Sequence, residues 1–147
     1  MIEDAPVRVM TVDDHAEFRA VVHELIEAMG EFEPVVEAAS GPEAIEAAQR
    51  LHPQMVLHDV RMPGMNGIET CRRLTADDDS LVVVLITSGE CADVARAADS
   101  CGAVALLAKQ NLNPAVLRGM WSIHGPVASS SEAGDDAVAV GGDLRRS

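Results

Sequence analysis

The sequence predicts an α/β fold, a parallel five-stranded sheet with helices on both faces. Two observations carry this. Short apolar runs alternate five times with stretches of helical periodicity, and such alternation calls for parallel strands joined by right-handed crossovers. Four of the runs also end on chemically capable residues: Asp13-Asp14, Asp59, Thr87 and Lys109. In a parallel sheet all carboxyl ends share one edge, and ligands bind there.

Val7–Val12 reads as the first buried strand, β1. Phe18, Val21, Val22, Leu25, Ile26 and Met29 recur at spacings of three and four, which marks helix α1 (Phe18–Met29), closed by Gly30. Pro34–Ala39 is a weaker strand, β2. Ser40-Gly41-Pro42-Glu43 has the form of a capping box. The helix behind it, α2, carries Ala44, Ile45, Ala48 and Leu51 on one face. Gln54–His58 is β3, and Asp59 ends it as Pro63, Gly64 and Gly67 follow. Asn66 caps α3, whose inner stripe is Ile68, Cys71 and Leu74. Asp77-Asp78-Asp79 is a solvated loop, since no turn glycine or bidentate Glu completes a calcium loop. Leu81–Ile86 is the most apolar run and the central strand, β4. An Ala-rich helix, α4, follows over Ala92–Ser100, stopped by Gly102. Val104–Ala108 is β5, ending in Lys109. Asn113-Pro114 opens α5, which runs to His124 with a Leu112–Leu117 staple. Residues 1–124 form one domain. The 23 residues from Gly125 turn to Gly, Ser, Ala and Asp and read as a flexible tail.

Composition narrows the function. Eleven Lys and Arg stand against 24 Asp and Glu, a net charge of −13, so direct nucleic-acid binding is disfavoured. Aromatics are 2% and Tyr is absent, which argues against base or flavin stacking. Cys71, Cys91 and Cys101 show no metal-type spacing, and their odd number suggests reduced thiols. No signal peptide or membrane-length apolar run is seen. A cytoplasmic location is expected.

The convergent groups suggest a reaction. Carboxylates crowded together repel unless a hard cation joins them, and Mg²⁺ is content with one or two carboxylates plus a phosphate. A carboxylate can attack phosphorus to form an aspartyl phosphate. Phosphoryl transfer needs positioning and charge neutralisation more than acid–base help. Mg²⁺ can neutralise one phosphoryl oxygen, Lys109 a second, and the Thr87 hydroxyl can donate to a third.

These residues resemble the receiver domain of bacterial response regulators. Asp13-Asp14 after β1, the Asp59-Val-Arg-Met-Pro-Gly-Met-Asn-Gly segment, Thr87 and Lys109 fall in that family's order and spacing, over about residues 6–124. The resemblance implies a flavodoxin-like (βα)5 doubly wound sheet of strand order 2-1-3-4-5. It implies Asp59 as phosphoacceptor and Mg²⁺ held by Asp14, Asp59 and the backbone carbonyl of Arg61. Asp13 would place a metal-bound water. Thr87 and Lys109 would contact the phosphoryl group and couple it to the α4–β5–α5 face. Three departures stand out. Gln110 replaces the usual Pro after the lysine, Leu106 replaces an aromatic three residues before it, and Ser88 stands where Ala or Gly is common. An aromatic swinging inward with Thr87 is therefore not the switch here. The nearest-looking relatives carry helix-turn-helix outputs, for which the tail is too short, so a stand-alone receiver without a DNA-binding domain is expected. Its partners would be a sensor histidine kinase or phosphotransfer protein, then a downstream protein or a phosphorylation-dependent second copy. It would be no enzyme beyond its own phosphorylation and dephosphorylation.

Other readings compete. A phosphate-independent pseudo-receiver adaptor draws support from Leu106 and Gln110. An aspartate-based phosphohydrolase needs Asp-x-Asp, and here the pair is adjacent. A flavodoxin-type flavin protein shares the strand order but lacks a phosphate loop and stacking aromatics. Among the remaining residues, His58 reads as a packed core histidine; His15 could border the acidic pocket, though a surface residue at a helix start is the better reading. Glu90 and Asp93 read as a solvated helix start, and Trp121 as either core or partner face. Gly89 and Arg61 are expected to tune hydrolysis of the phosphoaspartate.

Overall fold

The computed structural model describes residues 5–62, 64, 66–88, 96 and 100–125. Five parallel strands lie in the order β2-β1-β3-β4-β5. They span Val7–Val12, Phe32–Ala38, Met55–Asp59, Val82–Thr87 and Ala105–Ala108. Helices α1 (Ala16–Met29), α2 (Gly41–Leu51), α3 (Gly67–Asp77) and α5 (Pro114–His124) cross between or follow them. The expected α4 and the tail lie outside the described residues.

The sheet is apolar on both faces, and the two-residue period of each strand sorts side chains between two cores. Val9, Met55, Leu57, Val84 and Ile86 pack with Val22 and Ile26 of α1 and Leu117 of α5. Met10, Val12, Val56, Val83 and Leu85 pack with Ala44 and Ala47 of α2 and Cys71 and Leu74 of α3. Trp121 is half-buried against the α1/α5 core, and Leu112 joins Leu117 there. Leu106 pairs in register with Leu85 and packs against the α2/α3 core.

Local chemistry sets the helix starts. Ser40 Oγ, Asn66 Oδ1 and Asn113 Oδ1 each accept the backbone N–H three residues on, from Glu43, Glu69 and Val116. These are the expected caps for otherwise unpaired helix N–H groups. Glu43 reaches back to the Ala39 N–H rather than to that of Ser40, and β2 accordingly ends at Ala38. β2 also begins earlier than expected, at Phe32. Pro34 does not start the strand but sits inside it, at a register shift against Val9 and Met10. An edge strand tolerates a missing N–H that a central strand would need. Gly102 holds φ +97°, while the helix it was expected to stop lies outside the described residues. Asp78 Oδ1 accepts from Ser80 N and Oγ, which makes the acidic stretch a self-capped turn.

The loop after β3 is closely packed on the start of α3. Val60 N–H bonds to the Ile86 carbonyl and Gly67 N–H to the Val60 carbonyl, both at 2.9 Å. A Cβ on Gly67 would lie 2.6 Å from the Asp59 carbonyl oxygen and 2.9 Å from Val60 Cα. Both are backbone atoms, so the start of α3 must withdraw to admit a methyl. Gly67→Ala is expected to destabilise the fold by about 1–3 kcal/mol, the usual cost of overpacking. Urea unfolding checks this, and a midpoint equal to wild type would contradict the close approach.

Candidate functional site

β1 carries the chain to Asp13, whose N–H still bonds to the Ala38 carbonyl at 3.1 Å. The Asp13 side chain is fully buried. Its Oδ1 accepts the His15 N–H at 2.7 Å. Its Oδ2 is ion-paired with Lys109 Nζ at 3.0 Å. Arg19, in the first turn of α1, donates to the Asp13 carbonyl and to Glu37. Lys109 opens a short 3-10 turn, Lys109–Asn111, immediately after β5. Its ammonium also sits 4.3 Å from the centroid of the Phe18 ring, a cation–π contact. Lys109 is thus held between a buried carboxylate and an aromatic face of α1.

Asp59 is the last residue of β3 and 4% exposed. Burial pushes its carboxyl up to about 6, and the Asp13 charge adds to that. Lys109 and the Arg61 backbone N–H pull the other way. Thr87 ends β4, is buried, and pairs in register with Ala108, the residue before Lys109. Ile86, the residue before Thr87, pairs with Asp59. Asp13, Asp14, Asp59, Thr87 and Lys109 therefore share the carboxyl edge of the sheet, as the strand ends predicted. One carboxylate oxygen from each of Asp13, Asp14 and Asp59 and one ring nitrogen of His15 lie within 4.8 Å of one another.

His58 behaves as a core residue. Its Nδ1–H donates to the Asp59 carbonyl at 2.7 Å, which leaves Nε2 buried without a partner. Burial pulls its pKa down to about 4. His15 is less simple than a surface residue. It is exposed and stands at the N-cap of α1 without capping it through its side chain. Its Nδ1 nevertheless lies 3.1 Å from Asp13 Oδ1 and 3.2 Å from Asp14 Oδ1. His15 thus borders the acidic pocket, the less favoured of its two sequence readings, and Phe18 is the site residue the sequence missed. Phe18 belonged to the apolar stripe of α1, and nothing in spacing tells a core contact from a cation–π contact. Gly89, Glu90 and Asp93 lie outside the described residues, while Ser88 and Gln110 are exposed.

Three carboxylates gathered within 4.8 Å, two of them buried, suit a hard divalent cation. A profile of the response regulator receiver domain matches residues 9–120. The chain belongs to the response regulator receiver family. Receivers of two-component systems bind Mg²⁺ at such an acidic pocket. The nitrate/nitrite response regulator NarP of Escherichia coli is 35% identical over 117 residues, 80% of this receiver and 54% of that protein. A protein-glutamate methylesterase/protein-glutamine glutaminase of Myxococcus xanthus is 36% identical over 110 residues, 74% of this chain and 31% of that one. The chain spans about a third to a half of the length of these relatives. The response regulator domain of CheB from Thermotoga maritima superposes with a TM-score of 0.71 at 28% identity, covering 80% of this chain and 96% of that one. A LuxR-family response regulator from Aurantimonas gives 0.73 at 29%, covering 81% and 85%. Among the described residues of this receiver, no helix is long and apolar enough to cross a membrane.

The two buried titrations oppose each other. As pH falls, unfolded His58 takes a proton near the ordinary histidine value of 6.5 and native His58 only near 4, so stability is lost across that window. Native Asp59 takes its proton near 6 and unfolded Asp59 near 3.8, so stability is gained over almost the same window. In metal-free buffer the wild-type slopes largely cancel between pH 6.5 and 4. Asp59→Asn removes one of them. It is expected to be more stable than wild type by about 3 kcal/mol at pH 7, at 1.36 kcal/mol per pKa unit, with the gap closing toward pH 4. Urea midpoints measured across that range check this, and a gap that does not change with pH would contradict the assignment to Asp59.

Proposed function

We propose that this receiver is a phospho-acceptor signalling protein, phosphorylated on Asp59 by a sensor histidine kinase or phosphotransfer protein. The observation that carries the reading is the setting of Asp59. It is a strand-end carboxylate under 5% exposed, beside two further carboxylates, on the edge that also holds Thr87 and Lys109.

The chemistry follows from these groups. An Asp59 oxygen attacks the phosphorus, the donor's P–N bond breaks, and the electron pair leaves with the donor imidazole. Asp14, Asp59 and the Arg61 carbonyl would hold a Mg²⁺, with Asp13 placing one of its waters, and the ion would supply charge neutralisation at the phosphoryl group. Lys109, already on this edge, turns its ammonium from Asp13 to a second phosphoryl oxygen. The Thr87 hydroxyl donates to a third. No general base is required, because the carboxylate is the nucleophile.

The modified residue carries close to two negative charges. That charge biases the fold between states and is read through protein contacts on the α4–β5–α5 face. The module works in the cytoplasm and catalyses nothing beyond its own phosphorylation and dephosphorylation. A pseudo-receiver adaptor is the second reading. It is favoured by Leu106, which packs as an aliphatic under the sheet where an aromatic switch would stand.

Incubation with Mg²⁺ and acetyl phosphate, followed by intact mass, decides between them. Wild type is expected to gain one phosphoryl group, and neither Asp59→Asn nor wild type in EDTA is expected to gain any. A folded wild type that gains nothing, beside a control receiver that labels, would leave the adaptor reading.

A further inference from the structure

We propose that Phe18 is a positioning residue for phosphoryl transfer: its ring holds the Lys109 ammonium on the sheet edge while that ammonium passes from Asp13 to the incoming phosphoryl group. The inference rests on the reading of Asp59 as phosphoacceptor.

The contact is short and sheltered. Lys109 Nζ lies 4.3 Å from the centroid of the Phe18 ring, inside the roughly 6 Å over which an aromatic face attracts a cation. The Lys109 side chain is 19% exposed, so water screens this attraction little.

The ring is fixed independently of the lysine. Phe18 stands in the first turn of α1 and packs beside the core formed by Val22, Ile26 and Leu117. Its neighbour Arg19 ties that turn to the sheet, donating from Nη1 to the Asp13 carbonyl at 2.6 Å and from Nε to Glu37 Oε1 at 3.1 Å. Lys109 is held differently. Its backbone opens the turn after β5, where its carbonyl accepts the Leu112 N–H at 3.2 Å. Beyond that root runs a flexible four-carbon stem that ends in a point charge. The platform is rigid and the cation can move.

The two partners of the ammonium make different demands. The ion pair with Asp13 Oδ2, at 3.0 Å, belongs to one place and breaks when Lys109 turns to a phosphoryl oxygen. Attraction to a ring face is spread over the π-system and survives a lateral shift of the cation. Phe18 therefore keeps the ammonium on the edge through the exchange, where a lysine tied to Asp13 alone would be released toward solvent. A leucine has the bulk for this core position but no negative face to offer.

The test is the rate of Asp59 phosphorylation in the full chain, followed by intact mass with Mg²⁺ over a range of acetyl phosphate concentrations. Phe18→Leu is expected to slow labelling about fivefold, the rate equivalent of one partly buried cation–π contact. Trifluorophenylalanine placed at Phe18 keeps the ring's shape but withdraws charge from its face, and is expected to slow labelling as much as leucine does. The ring current is expected to move the Lys109 ε-methylene proton resonances upfield in the wild type and not in Phe18→Leu. A trifluorophenylalanine form that labels at the wild-type rate would overturn the role of Phe18 while the phosphoacceptor reading stands, since slowing confined to leucine is a packing effect. Wild-type Lys109 resonances at the ordinary lysine position would overturn it as well. A wild type that gains no phosphoryl group would overturn the phosphoacceptor reading, and this role with it.

Discussion

A fully buried carboxylate at the end of an apolar sheet is the constraint on which this receiver turns. Asp13 has no solvent to stabilise its charge, and an uncompensated buried charge is too costly to keep. The fold answers with a backbone N–H from His15 and the ammonium of Lys109. Lys109 is in turn seated on Phe18. The end of β1, the end of β5 and the first turn of α1 are therefore tied together by one negative charge. Arg19 adds to this by binding the Asp13 carbonyl and the β2 residue Glu37. Asp59 receives less. Its one backbone donor and the more general field of Lys109 do not offset burial and the neighbouring Asp13, so its carboxyl rises to about 6. The unequal treatment of two buried carboxylates leaves Asp59 as the one whose charge still calls for a cation.

The packing keeps that edge stiff. Because both faces of the sheet are apolar, a one-residue slip of any central strand would exchange its two cores. His58 and Asp59 show the consequence. His58 follows Val56 onto the α2/α3 side, where Gly67 packs closely over it. Its ring hydrogen then secures the carbonyl of Asp59. The carboxylate is held by its neighbour's register rather than by its own contacts alone.

Most of this was legible in the sequence. Strand and helix alternation, three helix caps and the convergence of strand ends depend on local patterns, and local patterns are what a sequence displays. The misreadings were of another kind. The sequence places the start of β2 at Pro34, whereas the strand begins at Phe32, and the sheet order shows why: β2 is an edge strand, where a proline within the ladder is tolerated. Glu43 was expected to bond at Ser40, and its reach to Ala39 depends on the turn between β2 and α2. His15 and Phe18 occupy the first turn of a helix, where the residue type is visible but the direction of the side chain is set by tertiary packing. Phe18 serves both roles, since it packs beside the α1/α5 core while its face meets Lys109.

The same ties decide where a charge added at Asp59 is felt. On the proposed reading, Lys109 would turn from Asp13 to a phosphoryl oxygen; it already rests on Phe18 of α1, and α1 shares its core with Leu117 and Trp121 of α5. Leu106, by contrast, lies on the other face, matched to Leu85 and packed on the α2/α3 core. A leucine there has no ring to turn inward and no hydroxyl to exchange partners. The contacts that join the pocket to α5 are therefore the Lys109 ammonium and the aromatic face of Phe18 on α1, on the side of the sheet opposite Leu106.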